Sequence, residues 1–515
     1  MTWASSTHAV DTLEQRSGTH AEDQAVEAVV DTSGGDVDVA DVAFPCHPWG
    51  KCNLSVDCAR PNATRVWMRG LFMNFLVVSL AVGAGVILGC HATANAADMT
   101  GDCRIGIYRL SDNSDVDISP SDEGRLRWRR KDGTSGALSP NPDGSWSSAL
   151  GWTERPDGKR VSFSECSAGE IRFDGLQGKR IALDVIETRF KSGDIDLVGR
   201  LLMPKGRGPV PVVVLVHGSE DSSALDFYWQ QRLFPSAGIG AFVYDKRGTG
   251  ASGGKYSHDY RLLAQDAVAA MREAQRLAGS RAGRIGYQGT SQGGWVAPLA
   301  ATMARVDFIV VGYGLAVSPI DEDRAAVELD MTRHGYGPEV VAKALEFADA
   351  TEAILVSNFT SGFDRLDAVR AKYGNEPWFK HVHGNVTFFM LQFPEAQVRE
   401  LGPKMLRDVL PNYDPMPVLR SLSTPQLWVL GADDLDAPIT ETVRRLHALA
   451  ASGKPIDIAI FPRAEHGIYE YETAADGTRL STRNSEGYFA MMRDYILEGR
   501  LWRNYGMSVL HVANR

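Results

Sequence analysis

The stretch Gly289-Thr290-Ser291-Gln292-Gly293 sets one serine among glycines, between the apolar run "RIGYQG" and an apolar, helix-patterned stretch beginning "GGWVAPLA". A serine hydroxyl is a poor nucleophile until a base takes its proton and an acid orients that base. Residues of both types follow later in the chain, each just past an apolar run. "PQLWVL" leads into "GADDLDAP", where Asp433, Asp434 and Asp436 compete for the role of orienting acid. "IDIAIF" leads into "PRAEHGI", which places His466 just beyond a strand. His447 falls inside a helical pattern and His511 near the tail, so His466 is the candidate base. The G-x-S-x-G spacing fits a nucleophile elbow, in which a tight strand-to-helix turn presents the hydroxyl and the glycines remove Cβ atoms that would clash. Acyl transfer also needs donors for a developing oxyanion. The run "VVVLVHGSE" ends a strand at His217-Gly218-Ser219, and the backbone N–H groups of Ser219 and Gln292 are the candidate pair.

These residues need a frame that gathers strand ends. From about residue 179 the chain alternates short apolar runs with helical stretches at 259–278, 292–304, 439–452 and 484–498. That rhythm predicts an α/β domain, a mostly parallel sheet with helices on both faces, and such sheets collect chemistry beyond the carboxyl ends of their strands. Between "GYGLAVSP" and "YDPMPVLRSLSTPQLWVL" about a hundred residues replace a short crossover. Their apolar spacing is helical, with Pro338 placed to start one helix, and residues 318–412 read as a helical cap. Trp378, Phe379, Phe388, Phe389 and Phe393 are candidates either to line an apolar pocket or to form the cap's own core. His381 and His383 lack an accompanying acid or cysteine at ligand spacing, so no metal site is expected.

Residues 180 to about 500 resemble the α/β-hydrolase superfamily, near the bacterial esterases of its dienelactone-hydrolase and prolyl-oligopeptidase-like branches. The segments that carry the resemblance are "LVGRLLMPKG", "VVVLVHGS", "VYDKRGTGASGG", "IGYQGTSQGG", "VLGADDLDAP" and "FPRAEHG". The family's G-x-x-D-x-x-x-P register implies Asp434 as the orienting acid. The family's "DKRGTG" segment, here Asp245 to Gly250, is structural. Esterase relatives often continue "HGSG", whereas here Glu220 and Asp221 follow Ser219, a departure at the second oxyanion donor. The resemblance implies an α/β-hydrolase domain over residues 179–515, into which the 318–412 cap is inserted, and does not extend to the segment before it.

That preceding segment, residues 97–178, reads as a small β-rich module: short alternating runs such as "RIGIYRL" and "GRLRWRR" are separated by "KDGTSG", "NPDGS" and "RPDGK" turns. Residues 68–96 read as a signal peptide. Met68 and Arg69 form a positive start, Leu71 to Leu88 an uncharged apolar stretch, and Ala94-Asn95-Ala96 a small-residue cleavage site. An internal membrane span is the alternative, because the stretch is at the lower length limit for spanning. "ILGC" also resembles the bacterial lipoprotein motif, which implies membrane attachment through a lipidated Cys90. Residues 1–67 hold ten acidic against four basic side chains and show no helical or strand periodicity; they read as a disordered or non-native extension, with translation starting at Met68 or Met73. Cleavage after Ala96 leaves only Cys103 and Cys166, a pair expected to form a disulfide in an oxidising compartment.

At 515 residues, 44% hydrophobic and 23% charged, with a net charge of -10 and no basic patch, the composition is globular and gives no footprint for nucleic acid. The sequence therefore predicts an exported serine hydrolase, periplasmic or held in the cell envelope. Ser291, Asp434 and His466 cleave a small-molecule carboxylic ester through an acyl-enzyme, without cofactor or metal. A peptidase using the same triad and an inactive binding protein of the same fold are the alternatives.

Overall fold

A computed structural model describes residues 101–513 apart from 122, 123 and 503. The signal-like segment 68–96, Cys90 and the acidic extension 1–67 lie outside the described residues.

The hairpin Leu183–Ser192 and Ile195–Pro204 opens a nine-stranded sheet. In space the strands run Leu183–Ser192, Ile195–Pro204, Gly240–Tyr244, Val210–Val216, Ala282–Thr290, Phe308–Gly312, Gln426–Gly431, Ile456–Phe461 and Val509–His511. From Gly240–Tyr244 to Ile456–Phe461 neighbours are parallel; the hairpin at one margin and Val509–His511 at the other are antiparallel. The all-apolar run at 212–216 follows from this burial. Side chains alternate across a strand, so Val212, Val214 and Val216 pack under helices Tyr260–Ala278 and Gly293–Met303, while Val213 and Leu215 face Gln230–Ser236 and Tyr488–Glu498.

The segment between Phe308–Gly312 and Gln426–Gly431 forms helices Pro319–Arg333, Pro338–Val356, Phe363–Tyr373, Val386–Gln392 and Glu395–Met405, which bury a core of their own. Pro338 is the first residue of its helix, where a missing N–H costs nothing. Trp378 is buried in that core, Phe379, Phe389 and Phe393 pack against it, and Phe388 is exposed. Trp378, Phe379, Phe389 and Phe393 stabilise these helices by burying apolar surface, at roughly 25 cal/mol per Å².

Before the sheet, eight antiparallel strands from Gly106–Leu110 to Leu176–Arg180 close into a barrel filled by Trp128, Trp146, Phe173 and aliphatic side chains. Closure removes the free edges that an open sheet of short strands would expose. The last barrel strand ends at Arg180, two residues beyond the boundary read from turn spacing. A Cys103–Cys166 disulfide joins the barrel's entry to the loop before Glu170–Phe173, with Cα atoms 5.6 Å apart. The barrel docks through a buried Arg232–Asp117 ion pair and through Trp152, whose backbone N–H donates to Ser481 O at 2.8 Å. Among the described residues no helix is long and apolar enough to cross a membrane.

Candidate active site

Ser291 closes the turn between strand Ala282–Thr290 and helix Gly293–Met303 with φ of 51°, a left-handed conformation that costs a non-glycine residue energy and marks a constrained position. The neighbouring glycines make that turn possible. A Cβ on Gly289 would sit 2.2 Å from Gly293 O, and one on Gly293 would sit 2.7 Å from Val216 O and 2.8 Å from His217 O. The backbone is pinned by the Ser291 N–H donating to Gly312 O at 3.0 Å and by Gly294 N–H donating to Ser291 O at 2.7 Å. The hydroxyl consequently stands at the positive end of the following helix.

Three loops at strand ends meet there. Ser291 Oγ lies 3.1 Å from His466 Nε2, and His466 Nδ1 lies 2.9 Å from Asp434 Oδ2. The second carboxylate oxygen of Asp434 accepts the Ala437 N–H at 2.8 Å. With Asp434 accepting, Nδ1 carries the imidazole proton and Nε2 is left to accept from the serine hydroxyl. Asp434 is fully buried. That burial pushes its carboxyl above the ordinary value, though His466 and the Ala437 N–H act against the shift. Burial also disfavours the charged imidazole, but Asp434, by charge and hydrogen bond, prevails and raises His466 above the ordinary histidine value. Tyr313, itself at φ of 43°, packs its ring edge-on to His466 with centroids 4.8 Å apart.

The other two loop acids have different partners. Asp433 accepts from Tyr471 Oη at 2.8 Å and offers its carbonyl to Arg479, while the Asp436 carbonyl takes the Asn385 Nδ2 of the cap at 2.8 Å.

Ser219 lies just past strand Val210–Val216 and Gln292 directly follows the nucleophile, and among the described residues neither backbone N–H donates to a protein backbone acceptor. Glu220 turns back to accept the Gly218 N–H at 3.3 Å and the Tyr228 hydroxyl, which also lies 3.2 Å from Thr290 Oγ1. Burial opposes the Glu220 charge, but its charged and polar surroundings, the Lys246 ammonium and the Tyr228 hydroxyl among them, hold its carboxyl below the ordinary value. His217 is buried, with Nε2 2.6 Å from Tyr244 O; burial and Lys246 lower it to about 4, so it is neutral and shapes the turn.

Tyr313, Tyr228, Tyr256 and His258 carry no local sequence signal, and Lys246 stands in the "DKRGTG" segment read as structural; packing brings Tyr313 to His466 and the others to the Gly218–Ser219 turn, Thr290 or Gln292. The hairpin Tyr469–Thr473 and Arg479–Asn484, which extends the His466 loop, is likewise absent from the sequence reading. A cavity of about 560 Å³ lined by Ser318, Asp321, Arg324, Asp349, Asp414 and Arg445 contains no residue of the Ser291 cluster.

No protein-family model and no curated protein matches the chain. Solved structures do. An acylaminoacyl peptidase of Pyrococcus horikoshii is 16% identical over 76% of this chain and 57% of its own, with a TM-score of 0.38. An esterase of Pyrococcus furiosus is 15% identical over 56% and 84%, with a TM-score of 0.37. A proline iminopeptidase of Mycobacterium smegmatis is 16% identical over 55% and 91%, with a TM-score of 0.34. The chain thus spans less than two thirds of the length of the Pyrococcus horikoshii peptidase. These structures, two named as peptidases and one as an esterase, are distant in sequence and overlap this chain in part.

Proposed function

We propose that this protein is a serine hydrolase of the α/β-hydrolase type that cleaves a carboxylic ester through an acyl-enzyme. The observation that carries the reading is the hydrogen-bonded chain Ser291–His466–Asp434 on a strained turn. Strand order and the sequence positions of the three residues, in the order Ser, Asp, His, support it as well.

In this reading Ser291 Oγ attacks the acyl carbonyl carbon as its proton passes to His466 Nε2. Asp434 stabilises the imidazolium so formed and keeps it aimed. The carbonyl oxygen becomes an oxyanion between the N–H groups of Ser219 and Gln292. The tetrahedral intermediate collapses, the C–O bond breaks, and His466 returns the proton to the departing alcohol. Water then adds to the acyl-enzyme with its proton taken by His466, and that proton restores the Ser291 hydroxyl as the acid leaves.

Amide cleavage would use the same steps. Ester cleavage is preferred because Glu220, the acid nearest the oxyanion turn in sequence, is already engaged by Gly218 N–H and Tyr228 rather than set to hold a peptide's α-ammonium group. The test is labelling with a fluorophosphonate probe together with hydrolysis of p-nitrophenyl esters and aminoacyl anilides. Labelling lost in Ser291→Ala and faster ester turnover support the reading. An unlabelled wild-type protein means a binding protein on this fold, and faster anilide turnover means a peptidase.

We further propose that the protein acts outside the cytoplasm, in the periplasm or cell envelope. The Cys103–Cys166 disulfide supports this, since such bonds persist in oxidising compartments.

A further inference from the structure

Lys246 has 2% of its surface exposed, and a buried ammonium group needs compensation. Its Nζ donates to Gly218 O at 2.7 Å and lies 4.9 Å from the centre of the Tyr256 ring. The Gly218 carbonyl and the Ser219 N–H belong to one peptide group. A cation on the carbonyl oxygen draws electron density through that amide and makes its N–H a stronger donor, as hydrogen bonds in series do in a low-dielectric interior. The far side of Ser219 is held too, because the Tyr256 hydroxyl donates to Ser219 O.

The same loop reaches the second donor. Tyr256 packs edge-on against His258, with centroids 4.9 Å apart. His258 Nδ1 accepts the Gln292 side-chain amide at 2.6 Å, and its Nε2 donates to Met405 O of the cap at 3.1 Å. Residues 246 to 258 therefore contact both residues proposed above as oxyanion donors, Ser219 through its carbonyl and Gln292 through its side chain. Charge adds a second reason for a cation here. Glu220 is ionised one residue from Ser219 and would repel a developing oxyanion, and Lys246 offsets that repulsion.

We infer that Lys246 is a positioning residue for the oxyanion hole, polarising the Gly218–Ser219 peptide so that the Ser219 N–H binds the tetrahedral intermediate more strongly. This inference rests on the serine-hydrolase reading above.

Burial lowers Lys246 to about 8, with Glu220 and Asp221 acting in the opposite direction. The other groups facing it are His217, which is neutral and titrates near 4, and Tyr256, whose hydroxyl burial keeps protonated well into alkaline conditions. Lys246 is thus the member of this cluster that changes charge on the mildly alkaline side.

The experiment compares full-length wild type with Lys246→Met and Tyr256→Phe. It measures kcat and KM on a p-nitrophenyl ester, and affinity for a trifluoromethyl ketone that adds Ser291 and forms an oxyanion. Both acylation and deacylation pass through that oxyanion. Lys246→Met is expected to lower kcat about tenfold, less than the full loss of a donor, with KM within about twofold. Ketone affinity falls by a similar factor. The ratio of wild-type to Lys246→Met activity cancels the titration of His466, and it declines toward one as pH rises past about 8. The ratio to Tyr256→Phe stays flat over the same range. A pH-independent ratio, unchanged kcat, or a loss in KM alone overturns the role of Lys246. Should Lys246→Met fail to fold, Lys246→Gln, which also lacks the charge, supplies the same ratio, and a pH-independent wild-type to Lys246→Gln ratio of ketone affinity across about pH 8 overturns the inference. Wild type that no fluorophosphonate labels at Ser291 removes the hydrolase reading itself, and the Lys246 role with it. Labelled wild type with a flat ratio removes the Lys246 role alone.

Discussion

Asp434 and Asp433 are adjacent in the chain but serve different partners: Asp434 Oδ2 is 2.9 Å from His466 Nδ1, and Asp433 Oδ2 accepts from Tyr471 Oη at 2.8 Å. Asp434→Asn keeps the side chain's shape but favours the wrong imidazole tautomer. It should lower kcat about 10⁴-fold, the scale known for triad proteases. Asp433→Asn and Asp436→Asn should change kcat by less than about tenfold, because neither carboxylate meets the imidazole. Measuring kcat for the three variants on one ester decides the matter; a large loss at Asp433 or Asp436 with Asp434→Asn active would reassign the acid.

The pH dependence of kcat/KM has a definite sign. His466 acts as base only when neutral, and Asp434 raises its pKa, so activity should climb with pH through a limb above the ordinary histidine range. Asp434→Asn removes that attraction, and the limb of its residual activity should move to lower pH. For folding the sign is opposite: a raised histidine contributes stability below its unfolded pKa and loses it as pH rises through the folded one. Rate profiles and urea melts over the same pH range test both statements. A limb unmoved in Asp434→Asn would mean that another group controls it.

Gly289→Ala should damage both fold and activity. The added Cβ would meet Gly293 O at 2.2 Å in a turn whose backbone is already constrained, and overpacking of this kind costs about 1–3 kcal/mol. Denaturant unfolding should show that loss, and fluorophosphonate labelling of the folded fraction should slow as the elbow shifts. Wild-type stability and labelling would show that the turn relaxes easily.

The barrel supports the loop that carries His466. Trp152 stacks edge-on against Tyr469, three residues past His466, at 4.7 Å, and a Cβ on Gly151 would sit 2.4 Å from the carbonyls of Ser481 and Thr482. Gly151→Val should push the hairpin away and lower kcat several-fold to about a hundredfold, since an ångström of misplacement can cost that much. KM should change less. An unchanged kcat in a folded Gly151→Val protein would show that the His466 loop holds its place without the barrel.

Removing the disulfide by Cys103→Ser with Cys166→Ser should destabilise the barrel by roughly 4 kcal/mol, from the chain entropy of a loop with sequence separation 63. Expressed from Met68 in a bacterium, the wild-type protein should be recovered from the envelope, shortened and with this pair oxidised. Mass spectrometry reads both the new N-terminus and the thiols, and an unprocessed chain with two free thiols would contradict export.

The serine and its candidate base were legible in the sequence, because a turn that crowds backbone atoms requires glycines and a base must follow a strand end. The parallel core was legible for a related reason: strands covered on both faces read as unbroken apolar runs, and Val212 to Val216 is one. Spacing could not separate Asp433, Asp434 and Asp436 on its own, since three acids in one short loop share every local property. The fold separates them by which carboxylate reaches an imidazole from another strand. Nor could alternation of polar and apolar residues reveal that eight short strands close on themselves, because closure depends on the pairing of Gly106–Leu110 with Leu176–Arg180 across the whole module. The contact of Lys246 with Gly218, like that of Trp152 with Tyr469, joins side chain to site across long stretches of chain. Such contacts have no period and no motif. Only tertiary packing decides them.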